Sequence, residues 1–415
     1  MTERTTCVVA GGGPAGMVLG LLLARAGVEV TVLEKHGDFL RDFRGDTVHP
    51  STMQLLDELG LGEPFAKLPQ TRLEEVAFPV GEHDRVTIGD LLRLRLVGTR
   101  HPYIAIAPQW DLLNLLAEAA AEEPTFTLRM RTEVTGLIRE GGRVTGVRYR
   151  ATEDGGSRNG EIRADLTVAA DGRWSLARQE ANLVAKEYPV PIDAWWFRLG
   201  RRTGETPDVL TPTMRRGRFA IVIPREGYHQ IAYIGRKGAD PQLRQRGIEA
   251  FRDDVAEVIP GLADRVGELA SMDDIKHLDV RLNRLRRWHT DGLLCIGDAA
   301  HAMSPVGGVG INLAVQDAVA AATLLAEPLR RGTLTTADLA KLRTRRLLPT
   351  VLVQWLQRFL HRMVVEPVVT GRRMGPPKPV VEFLRRVPQA SFVPAYLIGI
   401  GVRPEHAPAF ARRTG

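Results

Sequence analysis

Three glycines, Gly11, Gly13 and Gly16, stand in the order G-x-G-x-x-G, with Pro14 and Ala15 between the last two. This spacing suits a backbone that must turn tightly, come bare to a phosphate, and then pack a helix closely on a strand. The flanking residues supply that setting. Thr5 to Ala10 is a short apolar strand-like run. Pro14 to Ala26 is apolar and helical, with Gly27 in the position of a C-cap, and Glu29 to Leu33 is a β-branched strand. A helix beginning at Pro14 aims unpaired N–H groups and the positive end of its dipole at whatever lies over the glycines. Glu34 closes the second strand 18 residues after Gly16, where a carboxylate accepts hydrogen bonds from ribose hydroxyls and disfavours a 2′-phosphate. The expected dinucleotide site is Gly11, Gly13, Pro14, Ala15, Gly16 and Glu34, with Lys35 beside it. A glycine-rich turn without a ligand is the plainer alternative.

Two further constellations follow strand-like runs. Asp171-Gly172-Arg173-Trp174-Ser175-Leu176-Ala177-Arg178 follows Leu166 to Ala170. Gly297-Asp298-Ala299-Ala300-His301 follows Gly292 to Ile296 and continues through Pro305, Gly307, Gly308 and Gly310 into an apolar helix from Ile311 to Ala326. The N–H groups of Gly310, Ile311 and Asn312 at that helix start would stabilise an anion. His301 reads as a structural residue beside the Gly-Asp turn in preference to a catalytic base. The sequence has no H-x-x-x-H or C-x-x-C spacing, so no metal site is expected. Ser175 and Ser304 lack the setting of a nucleophile elbow.

In this order and spacing the three segments resemble the signature of the class A flavoprotein monooxygenases, the family of para-hydroxybenzoate hydroxylase. That family shows the glycine fingerprint near the N-terminus, the motif D-G-x-x-S-x-x-R towards the middle, and a later G-D-A-A-H followed by P-x-G-x-G-x-N. The first two are matched without a gap. The stretch Pro305 to Asn312 carries one more residue between its glycines. The resemblance covers residues 1–180 and 275–330. It implies FAD as cofactor, with Gly297 and Asp298 at the ribityl portion and Pro305, Gly307, Gly308, Gly310, Ile311 and Asn312 near the ring. It also implies that Arg44 and Gln109 contact the phosphate and ribityl portions, and that Asp171 and Arg178 support the pyrophosphate region. The chemistry it implies is flavin-centred, with no catalytic side chain identified. NAD(P)H would be a transient co-substrate, and O2 would be carried as a flavin C4a-hydroperoxide onto a small aromatic, phenolic or polyketide-like molecule. Rival readings are a flavin reductase or halogenase on the same scaffold, though the W-x-W-x-I-P motif of halogenases is absent, and a non-catalytic FAD-binding protein at a membrane. The apolar tail from Phe392 to Val402 motivates the last, but about 11 residues are too few to span a bilayer.

These motifs need a scaffold of the α/β class. The expectation is a Rossmann-type FAD-binding domain with a parallel sheet, glutathione-reductase-like, formed by residues 1–72, 100–180 and 275–345. Residues 73–99 and 181–274 would form an inserted mixed-sheet α+β substrate domain, and 346–415 a helical C-terminal segment. Ser51 is expected to cap a helix to Leu59, and the polar stretch Glu153 to Gly160 to form a hairpin tip. Trp195, Trp196, Phe219 and Tyr228 lie on strand-like runs and are the candidate substrate residues. Strand alternation lets only one of Trp195 and Trp196 face a pocket.

The 415 residues are 44% hydrophobic and 25% charged, ordinary globular values. The net charge of +7 is spread along the sequence with no nucleic-acid module, so no nucleic-acid partner is expected. Cys7 and Cys295 sit in apolar runs and read as buried thiols of a reducing compartment. The uncharged run Cys7 to Ala24 is broken by Gly-Gly-Gly-Pro, which argues against a signal peptide or membrane span and for a cytoplasmic protein. A monomer and a homodimer are both compatible with the sequence.

Overall fold

The computed structural model describes residues 3–40, 47–80, 85–153, 156–205, 210–215, 218–373 and 377–413. Strand β1 (Glu3–Ala10) buries four consecutive residues, Cys7 to Ala10, because both its faces are covered. Helix α1 (Pro14–Arg25) buries every residue from Ala15 to Ala24 and leads back to β2 (Val30–Leu33), parallel to β1. Helix α2 (Pro50–Glu58) and helix α3 (Gln109–Ala121) follow, and then β3 (Phe126–Arg129), parallel to β2.

Strands β4 (Thr132–Glu140), β5 (Arg143–Glu153) and β6 (Gly156–Ala169) form an antiparallel ribbon. The second half of β6 turns into the core and lies parallel to β1. The expected hairpin tip of 153–160 is shorter in the structure. Glu153 pairs with Gly156 and the ladder continues from there, with residues 154–155 outside the described set. The ribbon's far end is solvated on both faces, so its strands are as polar as a loop.

A separate antiparallel sheet holds β7 (Ile192–Gly200), β8 (Thr211–Arg215), β9 (Arg218–Pro224), β10 (Tyr228–Arg236) and β11 (Lys276–Leu278), in the order β8-β9-β10-β7-β11. Helix α4 (Asp240–Val258) covers one face. Among the described residues Glu75–Pro79 and Arg85–Asp90 pair only with each other. The backbone then returns to the first sheet through β12 (His289–Thr290) and β13 (Leu293–Cys295). The order there is β12-β13-β6-β1-β2-β3, with β13 to β3 parallel.

Helix α5 runs from Gly310 to Arg330, longer at both ends than expected. Helix α6 (Thr336–Leu360) starts on a capping box between Thr335 and Asp338 and ends in a π-helical turn, His361–Val365. A short apolar helix, α7 (Phe392–Gly399), comes last. Ser51 is not a cap. Pro50 takes the first helical position, and the Ser51 hydroxyl goes to a different task. Among the described residues no helix is long and apolar enough to cross a membrane.

Candidate functional site

The carboxyl ends of β1, β2, β6 and β13 lie side by side, and each is followed by a motif residue: Gly11, Glu34, Asp171 and Gly297. In open α/β sheets this edge is where ligands bind. Gly11 has φ +106°, and a Cβ there would stand 2.4 Å from the Ala170 carbonyl oxygen. A Cβ on Gly16 would stand 1.9 Å from the Gly11 oxygen, so helix and turn touch through bare backbone. A Cβ on Gly13 would meet no described residue within 4 Å. Helix α1 has no side-chain cap, so its first N–H groups face that open space. The buried Glu34 carboxylate accepts Gly12 N–H at 2.9 Å and His36 N–H at 3.0 Å, and Lys35 lies exposed at the rim.

Arg178 is buried and donates to the carbonyls of Arg173 at 2.7 Å and Ala299 at 3.4 Å, bolting the second motif to the third. Asp171 accepts Ala177 N–H at 3.4 Å through one oxygen, while the other is buried without a partner. Burial raises its pKa. Asp298 sits in a tight turn, Gly297–Ala299, with Arg173 Nε 3.1 Å from its carboxylate. His301 faces inward to Asp317. That carboxylate also accepts Gly297 N–H and Arg346 Nε, each at 3.1 Å. Burial opposes ionisation of Asp317, but the hydrogen-bonded His301 and the Arg346 charge outweigh it and lower its pKa. Asp317 and Arg346 are absent from the motifs read in the sequence. Asp317 does carry a signal, a single charge in the apolar stretch Gly310 to Ala326, whereas Arg346 stands among Arg343 and Arg345 with nothing to mark it.

The loop from Pro305 to Asn312 is held from three sides. Gly307 and Gly308 adopt φ +85° and +64°, a region that residues with a Cβ rarely occupy. Thr47 donates to the Gly308 oxygen at 2.9 Å. The buried His49 ring has Nε2 3.0 Å from the same oxygen and Nδ1 2.8 Å from the Ile398 oxygen. Burial lowers the His49 pKa to about 4. Ser51 and Thr52 place their hydroxyls 2.9 and 2.7 Å from Asn312 Oδ1. From α6, Gln357 donates to the carbonyls of Ser304 and Val306 at 2.8 and 2.9 Å, and His361 Nε2 lies 2.8 Å from Ser304 Oγ. Helix α5 begins without a side-chain cap, so its first N–H groups remain for a ligand. Gln109 opens α3. Arg44 lies outside the described residues.

The face of the antiparallel sheet turned away from α4 meets this loop. Val306 packs against the cluster containing Phe219 and Ile234. Ile398 joins both the cluster under Trp196 and the cluster of Met303, Val309 and Leu313. Trp196 points to this side, and its indole N–H is buried without a partner among the described residues. Trp195, also a candidate substrate residue, instead lies in the core against α4. It is fully buried, bonds Asp240 at 2.7 Å and stacks on His277. Pleat alternation sends the two indoles to opposite faces. Phe219 is buried against Val365 and Val368, and Tyr228 sits at the strand end beneath the Arg198 guanidinium, 4.7 Å away.

Open space over Gly13, two uncapped helix starts, an acid at the second strand end and a glycine loop under an apolar roof all suit a flavin dinucleotide. Among the described residues no cluster suited to a metal occurs. Known proteins point the same way. A family model described as "FAD binding domain" matches residues 4–348. The 6-methylpretetramide 4-monooxygenase of Streptomyces rimosus is 34% identical over 405 residues, covering 95% of this chain and 90% of that one. The para-nitrophenol 4-monooxygenase of Pseudomonas sp. (strain WBC-3) is 26% identical over 78% of both proteins. The structure of OxyS, the anhydrotetracycline hydroxylase of Streptomyces rimosus, superposes with a TM-score of 0.75 at 26% identity, over 98% of this chain and 77% of that one. The chain therefore belongs to the class A FAD-dependent monooxygenases and is an enzyme with FAD as its cofactor.

Proposed function

We propose that the enzyme hydroxylates a planar aromatic, polyketide-like molecule, taking electrons from NAD(P)H and the oxygen atom from O2. The observation that carries this reading is the meeting of two halves. Four motif residues line the carboxyl edge of the parallel sheet, and the glycine loop they lead to faces an apolar surface with one unpartnered donor, Trp196. Bound there, FAD would relay electrons from NAD(P)H to O2 and supply the oxygen for insertion.

The protein's own residues would bind, orient and keep dry. The α1 N-terminus and Gly13 would hold the pyrophosphate, Glu34 the ribose, and Gln109 and Asp298 the ribityl portion. The N–H groups of Gly310, Ile311 and Asn312 would stabilise negative charge at the ring. Residues 73–99 and 181–274 would form the substrate side. Trp196, Ile221, Ile223, Tyr396 and Ile398 would exclude water, and the Trp196 N–H would donate to a ring oxygen of the substrate. The substrate class is supported by the tetracycline-type compounds named for two relatives and by the apolarity of this face.

The test is a panel of polycyclic phenols with purified enzyme, NADPH and isotopically labelled O2. Label in the product and NADPH oxidation stimulated by one scaffold are expected. NADPH oxidation that never places label in any aromatic product, or a halogenated product when halide is present, would overturn the reading.

A further inference from the structure

Helix α6 buries one face and leaves the other bare. Arg346, Thr350, Val353, Gln357 and then His361 point into the protein at helical spacing. On the opposite side Leu348, Leu352, Trp355, Phe359 and Met363 are exposed. Trp355 is 60% exposed and Phe359 47%, with their rings stacked 5.8 Å apart. The row is about 22 Å long at the α-helical rise. Half-buried Leu347, Val351, Leu356 and Leu360 flank it, no charged residue occurs from Leu347 to Gln357, and the half-buried Arg358 and exposed Arg362 stand beside its C-terminal end. A helix face open to water ordinarily carries charge. An apolar row of this length, free of charge over its first two thirds, marks an interaction surface.

We infer that this face pairs with the same face of a second copy, the two helices running antiparallel about a two-fold axis beside Trp355. The row is symmetric about that point. Leu348 would meet the partner's Met363, and Leu352 the partner's Phe359. Beyond the row the same register sets opposite charges together. Arg345, exposed and bound to Glu405 at 2.9 Å, would lie opposite the partner's Glu366. From the exposed fractions of these side chains, each copy offers roughly 500 Å² of apolar surface, and the pair would bury about 1,000 Å², the size at which specific interfaces begin. A face that complements itself closes at two copies and does not propagate. The flavin loop is gripped from the other side of α6 by Gln357 and His361, so pairing leaves each site clear.

Sedimentation velocity of the full-length, FAD-loaded protein tests this. A dimer is expected at micromolar concentration. Trp355→Glu and Phe359→Glu should each weaken it by about 100-fold, as loss of a central aromatic anchor does, with flavin content and melting temperature unchanged. The register has its own test. Cys7 and Cys295 are both fully buried, so a thiol introduced by Trp355→Cys would be the reactive one, and mild oxidation, at a protein concentration raised about 100-fold to offset the lost anchor, should link it to its own counterpart. Leu352→Cys should not link, because its counterpart would lie about 10 Å along the axis. The inference is overturned by a monomer at all concentrations, by a dimer indifferent to both glutamate variants, by equal cross-linking of the two cysteine variants, or by a monomer that co-sediments with anionic vesicles through Trp355. None of these readouts depends on turnover.

Discussion

His301 Nε2 lies 2.5 Å from Asp317 Oδ2, and neither side chain reaches solvent. The same carboxylate holds Gly297 N–H and the fully buried Arg346, so one acid in α5 anchors the turn that presents Asp298. Asp317→Ala would leave the Arg346 charge, among the described residues, with Glu405 as its one acidic neighbour, 3.5 Å away. Removing one partner of a buried ion pair costs about 3–5 kcal/mol. The expected result is a urea midpoint lowered to match, together with weaker FAD retention. His301→Ala should cost less, because it leaves the Asp317–Arg346 pair intact. Equal losses in both variants would contradict this division of labour.

Gly13 and Gly16 separate binding from folding. A methyl group on Gly16 collides with the Gly11 carbonyl at 1.9 Å, so Gly16→Ala should destabilise the apoprotein by several kcal/mol, as overpacking against backbone does. A methyl group on Gly13 enters open space, and the Gly13 backbone, at φ −75° and ψ −177°, suits alanine. Gly13→Ala should therefore fold with an unchanged apoprotein melting temperature and lose FAD affinity by ten-fold or more, about 1.4 kcal/mol. Flavin titration against fluorescence, beside thermal melts of the apoprotein, reads both. An unchanged FAD affinity in Gly13→Ala would place the pyrophosphate elsewhere.

The strand–helix–strand unit is legible in the sequence because each residue type has one physical job there: apolar runs for a sheet covered on both faces, glycines where backbone meets backbone, an acid at a strand end. The supports of the loop from Pro305 to Asn312 are not legible. Thr47, His49, Ser51 and Thr52 come from one segment, Gln357 and His361 from another, and Ile398 from a third, and no local pattern announces that they converge. Ser51 reads as a helix cap because a serine before an apolar run usually is one, but Pro50 sets the helix start one residue earlier. The solvated ribbon of β5 and β6 reads as a loop because its strands carry no buried face at the far end.

Trp195 and Trp196 should answer mutation in opposite ways. Trp195→Phe removes a bond to Asp240 and core packing against α4, so it should lower stability by about 1–3 kcal/mol with little change in substrate KM. Trp196→Phe keeps an aromatic ring but deletes the unpartnered N–H. It should leave the melting temperature within a degree or two, and raise substrate KM or the fraction of NADPH oxidised without product. If Trp196→Phe is silent in both, the donor has another purpose.

Two buried histidines set an acid limit on stability. Burial lowers the pKa of His49 and of His361 to about 4, whereas each would titrate near 6.5 in the unfolded state. Both rings are therefore neutral in the folded protein at pH 7. A neutral His49 ring can donate to only one of the two carbonyls it faces, Gly308 and Ile398. A folded pKa below the unfolded one means that the unfolded state binds the extra proton, so stability is complete above about pH 6.5 and falls as pH drops towards 4. Each ring accounts for up to about 3 kcal/mol of that loss. Asp317, whose pKa is lowered from the usual carboxylate value, works in a separate window. Its contribution is lost only as pH falls below about 3.9. Urea midpoints between pH 7 and 4 should decline steeply in the native protein, and less steeply in His49→Asn and His361→Gln even though both start lower. Parallel slopes in all three proteins would show that neither imidazole is held neutral.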